Sequence, residues 1–197
     1  MELEVSTCNR NGDPLSGAQI EVVGTGIGTY SVTTGPDGCG TIPDVPMNSF
    51  FIKCTANGYI TNHSWYDLSE IASGEPSFTM CTWDEMYNSL GMISLDHSKS
   101  IIKGRVTNRE KNVAGATVSI TPPSGSIIYA DSNGEAVFGP DCALGNGDFY
   151  IANLENGNYN ISANRYDSTD KEEERYTTSS VKITEPAIYV IKPISEY

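Results

Sequence analysis

The chain has 197 residues, of which 38% are hydrophobic and 19% charged, and it carries a net charge of −13 with a pI of about 4.4. This hydrophobic content predicts a folded globular protein rather than a disordered one, and the negative charge disfavours binding to nucleic acid. Nowhere does the sequence contain a run of about 18 apolar residues, so it predicts no membrane span.

Strand signals dominate the chain from its first residues onward. Short runs rich in Val, Ile, Thr, Tyr and Phe are bounded by Gly, Asn, Asp or Pro, which is typical of strands joined by turns. In chain order these runs are LEVST, AQIEVV, TYSVTT, FFIKCT, IIKGRVT, ATVSIT, SIIYA, DFYIANL, YNISA, SVKIT and AIYVIKPI. Turn signals recur at intervals of about 8–12 residues, and this spacing predicts an all-β fold of the sandwich type.

One segment interrupts the strands. In TWDEMYNSLG, Thr82 is placed to cap a helix, Glu85 follows at the capping-box spacing, and Gly91 can end the helix in the left-handed conformation. We therefore predict a first β-sandwich domain over residues 1–82, a short helix and linker over 83–98, and a second β-sandwich domain over 99–197.

The two predicted domains contain similar sequences. Residues 17–38 read GAQIEVVGTGIGTYSVTTGPDG, and residues 115–134 read GATVSITPPSGSIIYADSNG. Each begins with Gly-Ala and a strand, and each ends in a turn rich in Asx and Gly. The Gly before Ala is expected at a positive φ or a close backbone approach, so the sequence predicts two copies of one β-unit.

The residues of both copies resemble the carboxypeptidase regulatory-like domain. The second copy carries the resemblance in KGRVTNREKNVAGATVSI, DSNGEAVF and FYIANLENGNYNISA, and the first in NGDPLSGAQIEVV, TTGPDGCGTI and CTANGYIT. The resemblance implies two Greek-key, transthyretin-like or Ig-like sandwiches in tandem. It also implies a non-catalytic module of a secreted or surface protein, although residues 1–8 show no signal-peptide pattern.

The five cysteines suggest disulfides in the first domain. Cys39 and Cys54 flank Pro46-Met47 symmetrically, so two antiparallel strands turning there would bring them face to face. Cys8 ends the first predicted strand and Cys81 the last strand of the same domain, which often neighbour each other in Greek-key sandwiches. We expect Cys39–Cys54 and Cys8–Cys81 bridges among the three pairings that four cysteines allow, and hence an oxidising compartment. Cys142 is left over as a buried thiol or a link between chains.

Two loops of the second domain offer oxygen ligands. Calcium binds six to eight oxygens, and Asp131, Asn133, Asp141 and Asp148 could supply some of them from DSNGE and from the insertion FGPDCALGNGD. The alternative is that DSNGE forms an ordinary Asx turn. Apart from calcium the sequence predicts no cofactor.

No catalytic motif accompanies these residues. The sequence lacks G-x-S-x-G, H-E-x-x-H and a phosphate-binding loop, and we predict that the protein is not an enzyme. We predict a structural or protein-interaction module of an extracellular, cell-surface or virion assembly, with protein partners or self-assembly. The alternative is a carbohydrate-binding accessory module. The candidate contact residues for these two roles are Trp65, Tyr66, Tyr166, Tyr176 and Cys142.

Overall fold

The computed structural model describes most of the chain and divides it into two compact units, Met1–Trp83 and Asp84–Tyr197. The described residues are 1–24, 30–46, 49–67, 75–91, 93–108, 111–131, 135–137, 143, 147–167, 172–176 and 179–195. Almost all of the regular structure is β, so the predicted all-β class is confirmed.

The first unit contains strands β1 to β7. They are β1 (Leu3–Asn9), β2 (Gln19–Val23), β3 (Tyr30–Thr33), β4 (Cys39–Ile42), β5 (Phe50–Thr55), β6 (Asn62–Tyr66) and β7 (Ser77–Met80). In one sheet β1 lies between β4, to which it is antiparallel, and β7, to which it is parallel. In the other sheet β2 lies between β3 and β5, and β5 pairs with β6, all antiparallel.

The two sheets of the first unit enclose one apolar core. The strands alternate buried and exposed residues with a period of two, as expected for sheets with one face buried. The core contains side chains from β1, β4 and β7 on one side and from β2 and β5 on the other: Leu3, Val5, Ile42, Phe78, Met80, Ile20, Val22, Phe50, Ile52 and Cys54. A core built from both sheets defines a β-sandwich.

The second unit contains strands β8 to β18. They are β8 (Ser100–Asn108), β9 (Lys111–Asn112), β10 (Ala116–Thr121), β11 (Ser126–Ala130), β12 (Ala136–Val137), β13 (Asp148–Leu154), β14 (Gly157–Asp167), β15 (Glu172–Arg175), β16 (Ser179–Ile183), β17 (Ile188–Val190) and β18 (Ile194–Ser195). In one sheet β14 pairs with β10, β15 and β16. In the other, β13 lies between β11 and β8, β12 pairs antiparallel with β11, and β17 runs parallel to β8.

The second unit is also a sandwich. Its core contains residues of β10, β14 and β16 on one side and of β8, β11, β13 and β17 on the other: Val118, Ile120, Tyr159, Ile161, Val181, Ile183, Ile102, Val106, Tyr129, Phe149, Ile151 and Tyr189.

The two units share a pairing pattern. In each, the first strand pairs antiparallel with a middle strand and parallel with a late strand: β1 with β4 and β7, β8 with β13 and β17. The second strand of the repeat begins after a glycine at positive φ, 78° at Gly17 and 82° at Gly115, as the sequence predicts. The following Ala18 and Ala116 are fully buried.

The predicted helix is present as α1, Trp83–Ser89. It follows Thr82, carries Asp84 and Glu85 in its first turn, and is followed by Gly91 at a φ of 68°, so the predicted left-handed residue is confirmed. Across the part of the chain that the structure describes, no helix is long and apolar enough to cross a membrane.

Candidate functional site

Asp148, a predicted calcium ligand, forms an ion pair with Arg105. The two residues are opposite each other on β13 and β8. Arg105 Nε donates to Asp148 Oδ1 at 2.5 Å, and Nη2 donates to Oδ2 at 3.0 Å. Hydrogen bonding to this carboxylate raises the pKa of Arg105, while burial of the guanidinium acts in the opposite direction. In this structure the buried carboxylate is held on both oxygens as a structural partner of Arg105, and its role as a calcium ligand stays a prediction.

Asp131 closes the turn between β11 and β12. Its Oδ1 accepts a hydrogen bond of 3.0 Å from the amide of Glu135, and its own amide donates to the Glu135 carbonyl at 2.8 Å. Asp131 therefore holds Glu135 at the close of this connection, and its role as a calcium ligand stays a prediction. Asn133, Asp141 and Cys142 lie outside the described residues. Among those that are described, no group of three or more His, Cys, Asp or Glu residues could hold a metal ion.

The predicted bridge between Cys39 and Cys54 is wrong for this structure. Both are thiols, and the two strands that carry them do not form a hairpin. Strand β4 pairs with β1, whereas β5 pairs with β2 and β6 in the other sheet. Cys39 is exposed, and Cys54 is fully buried in the core of the first unit, where burial raises the pKa of its thiol to about 12.

The predicted bridge between Cys8 and Cys81 is wrong as well. Their strands are neighbours, as expected, but the parallel register places Cys8 opposite Thr79, with 3.9 Å between Cys8 Sγ and Thr79 Oγ1. Cys81 lies two residues further along, which corresponds to a Cα separation of about 8 Å and exceeds the span of a disulfide. Neither cysteine is part of a disulfide. These four free thiols give no support to the predicted oxidising compartment.

The aromatic candidates belong mainly to the two cores. Tyr176 is buried in the core of the second unit, and Tyr66 packs edge-to-face on the core residue Phe78, with 5.9 Å between ring centroids. Trp65 is half-buried opposite Phe51. The side chain of Tyr166 lies outside the described residues. These positions do not support a carbohydrate-binding face, and a contact role for these aromatic residues stays a prediction.

The structure brings together a group of residues that the sequence analysis missed. We call Glu4, Glu75 and strand β7 the acidic edge of the first unit. The parallel register of β1 and β7 places Glu4 across from Glu75, which directly precedes Pro76 and β7. A side-chain hydrogen bond with Glu4, followed by repulsion between the two carboxylates, raises the pKa of Glu75.

The thiol of Cys39 lies close to this acidic edge. Desolvation, and then the negative charges of Asp37, Glu75 and Glu4, raise its pKa. A thiol in such surroundings stays protonated at neutral pH and is a weak nucleophile. The site therefore offers negative charge, not covalent chemistry. Because Glu4 and Glu75 are 71 positions apart, only the strand pairing could reveal that they meet.

Strand β7 ends its sheet, and in the described residues its outer side is open along Ser77 and Thr79, whereas just beyond the strand the carbonyl of Cys81 accepts from the amide of Ile60 at 2.9 Å. The amide of Ser6 on β1 donates to the carbonyl of Pro76 at 3.0 Å. Successive residues of a strand direct their backbone groups to opposite sides, so Phe78 and Met80 also bond toward β1, and Ser77 and Thr79 present their N–H and C=O groups outward. The side chains of Ser77 and Thr79 are exposed. Within the described residues no strand pairs with this side of β7.

Comparison with known proteins yields distant likenesses. No family profile and no curated protein matches the sequence. The chain is similar to the TIE protein of Bacillus anthracis, with 15% identity and a TM-score of 0.31 over 99% of this chain and 34% of that one, so it spans about a third of that protein. It is similar to GBS52, a minor pilin of Streptococcus agalactiae, with 12% identity and a TM-score of 0.31 over 99% and 96% of the two chains. It is also similar to the shaft pilin spaA of Lactobacillus rhamnosus GG, with 12% identity and a TM-score of 0.30 over 100% of this chain and 98% of that one. Likenesses at these scores carry no argument for fold or function.

Proposed function

We propose that this protein is a non-catalytic structural or protein-interaction module of an extracellular or cell-surface assembly, such as a surface filament or adhesin subunit. The observation that carries the proposal is the pair of separate apolar cores, each enclosed by the two sheets of one unit. A unit with its own core can keep its shape without the other, which suits a module that spaces or presents contact surfaces.

The positions of the polar candidates support the same proposal. Asp148 is held by Arg105, Asp131 closes a turn, and Tyr176 fills a core. Groups used in this way stabilise a scaffold. Function on such scaffolds usually resides in loops and edges. Among the described residues, the acidic edge is therefore the best candidate for a contact surface.

The finer proposal concerns the kind of module. We propose that the two units are tandem carboxypeptidase regulatory-like sandwiches, joined through residues 83–98. The shared pairing pattern and the positive φ of Gly17 and Gly115 support this proposal. Protein partners or self-assembly would be the natural mode of action of such a module.

Immunogold electron microscopy tests the proposed location. Antibodies raised against the purified chain are applied to whole cells and to thin sections of the source organism, with pre-immune serum as the control. We expect gold particles at the cell surface or along extended surface structures. Label confined to the cell interior would contradict the proposal.

The independence of the units can be tested separately with a fragment of residues 84–197. We expect a β-type circular dichroism spectrum and cooperative thermal unfolding, because this unit contains a complete core. A random-coil spectrum would show that the second unit needs the first, and the proposal of independent modules would fail.

A further inference from the structure

We infer that strand β7 binds an extended, basic segment of a partner protein, which adds to the sheet as a further strand. This inference goes beyond the proposed function, because it specifies a mode of binding and a chemistry of partner. It does not depend on where in or on the cell the protein resides, since it follows from the geometry of the acidic edge.

The open side of β7 provides the backbone groups that strand addition requires. Ser77 and Thr79 each direct one N–H and one C=O away from β1, as the bond from Ser6 to Pro76 establishes. Four such groups in a row can pair with a single extended segment. The inward side chains of Phe78 and Met80 are fixed in the core, so β7 is a rigid template.

Pro76 does not block this side of the strand. Proline protects an edge when its missing N–H would have faced the solvent. Here Pro76 belongs to the set of residues that face β1, where its carbonyl accepts the bond from Ser6. The outward positions, Ser77 and Thr79, both keep their donors.

In the second unit, by contrast, the edge strand β10 has its outward backbone groups occupied. On β10 the amide of Val118 donates to the Tyr129 hydroxyl at 2.9 Å, and the carbonyl of Ala116 accepts from the amide of Ala143 at 2.7 Å. These bonds occupy backbone groups on the side of β10 away from β14 and so protect that edge from strand addition. The described residues supply no equivalent bonds for Ser77 and Thr79 of β7.

The charge beside β7 selects the partner. Glu75 precedes the strand and Glu4 lies next to it, while the 83 residues of the unit contain nine acidic residues and two basic ones. Two copies of β7 side by side would place like charges together, which disfavours pairing with a second copy of this chain. A segment carrying Lys or Arg near its ends would instead meet opposite charge.

The test uses the purified full-length chain and a defined peptide. The probe is acetyl-Lys-Thr-Val-Thr-Val-Lys-amide, which combines strand-forming residues with two positive charges. Binding is followed by the shifts of amide resonances in ¹⁵N-resolved NMR spectra. The matched controls are the same peptide with Glu in place of both Lys, and the Lys peptide with N-methyl groups on alternate amides, made in both registers.

We expect the Lys peptide to shift the resonances of Ser77 and Thr79 and to bind more tightly than the Glu peptide by roughly tenfold, with the difference shrinking in high salt. N-methylation in the pairing register should abolish the shifts, since it removes the donors that strand addition uses. Equal binding of all the peptides, no binding of the Lys peptide, or shifts centred on other residues would overturn the inference.

Variants of the protein give a second line of evidence. Ser77→Pro removes an outward donor, and Ser77→Ala is its matched control because it keeps that donor. We expect Ser77→Pro to lose peptide binding and Ser77→Ala to retain it, with both melting near the wild-type temperature. If Ser77→Pro does not fold, the N-methylated peptides still decide the question with the unchanged protein. Self-association of the wild type that Ser77→Pro abolishes would contradict a basic partner and identify a second copy as the occupant.

Discussion

The hydroxyl of Tyr129 accepts a hydrogen bond of 2.9 Å from the backbone amide of Val118. Tyr129 lies on β11 and Val118 on β10, so the bond connects the two sheets of the second unit. Both side chains are in the core, and the amide points away from β14 at the edge of its sheet. A buried amide without a partner costs free energy, and the tyrosine hydroxyl supplies the acceptor that an edge strand lacks.

Replacing Tyr129 with Phe should therefore destabilise the second unit. The change keeps the ring and removes the acceptor, so we expect a loss of about 1–2 kcal/mol in the free energy of unfolding. Calorimetry of the full chain should show a lower melting temperature. Tyr87→Phe is the control, because Tyr87 is among the exposed large hydrophobic residues. Equal melting temperatures for Tyr129→Phe and the wild type would show that the bond contributes nothing.

Gly104 of β8 lies under the ring of Phe149, its partner across the sheet. A Cβ at position 104 would lie 2.3 Å from Phe149 Cζ, and Phe149 is fully buried and cannot move aside. We expect Gly104→Ala to destabilise the second unit by about 1–3 kcal/mol through overpacking. Gly157→Ala on β14 is the control, since its nearest contact would be 3.4 Å from Tyr159. If the two variants have equal melting temperatures, the close approach of Phe149 to position 104 does not destabilise Gly104→Ala.

The local features of the fold follow from the sequence because their causes are local. Alternation of side chains defines the strands, and the Gly-Ala pairs at 17–18 and 115–116 mark the same backbone conformation in each unit. The capping pattern around Thr82 and Gly91 likewise depends on a few neighbouring residues. These signals are contained in windows of about ten residues, so a single sequence can show them.

The pairing of distant strands could not be predicted in the same way. The spacing of Cys39 and Cys54 predicts a hairpin, yet β4 and β5 belong to different sheets. The register of β1 against β7 decides that Cys8 faces Thr79 and that Glu4 meets Glu75. Strand register depends on which entire face of each strand is buried in the core, and no short motif encodes it.

The cysteines provide a direct check of the strand pairing seen in the first unit. Alkylation of the folded chain near pH 8 should modify the exposed Cys39, slowly because its pKa is also raised, and leave Cys54 unreacted, because Cys54 is buried and its pKa is raised to about 12. After unfolding without a reductant, peptide mass spectrometry should find Cys8, Cys39, Cys54 and Cys81 all alkylated. Recovery of disulfide-linked peptides from this set would contradict the structure and restore the case for an oxidising compartment.

The segment that enters β8 is held by Asp96. Its Oδ1 accepts hydrogen bonds from the amide of Ser98 at 2.9 Å and from the Ser98 hydroxyl at 2.6 Å. The amide of Asp96 donates to Oδ1 of Asn153 at 2.9 Å, which ties the segment to β13. The two bonds from Ser98 are the main reason that the pKa of Asp96 is lowered, with smaller contributions from Lys99 and His97.

The lowered pKa predicts how the contribution of Asp96 depends on pH. A carboxylate whose pKa is lower in the folded than in the unfolded state stabilises the fold above its ordinary pKa of about 4, and this stabilisation is lost as the pH falls through the folded value. The wild type should therefore be more stable than Asp96→Asn near pH 7, and the difference should shrink as the pH falls below about 4. Melting temperatures of both chains from neutral to acid pH measure this difference. In a Ser98→Ala background the effect of Asp96→Asn should be smaller, because one of the two donors is absent. A difference that stays constant down to pH 3 would show that the charge of Asp96 is not what stabilises this segment.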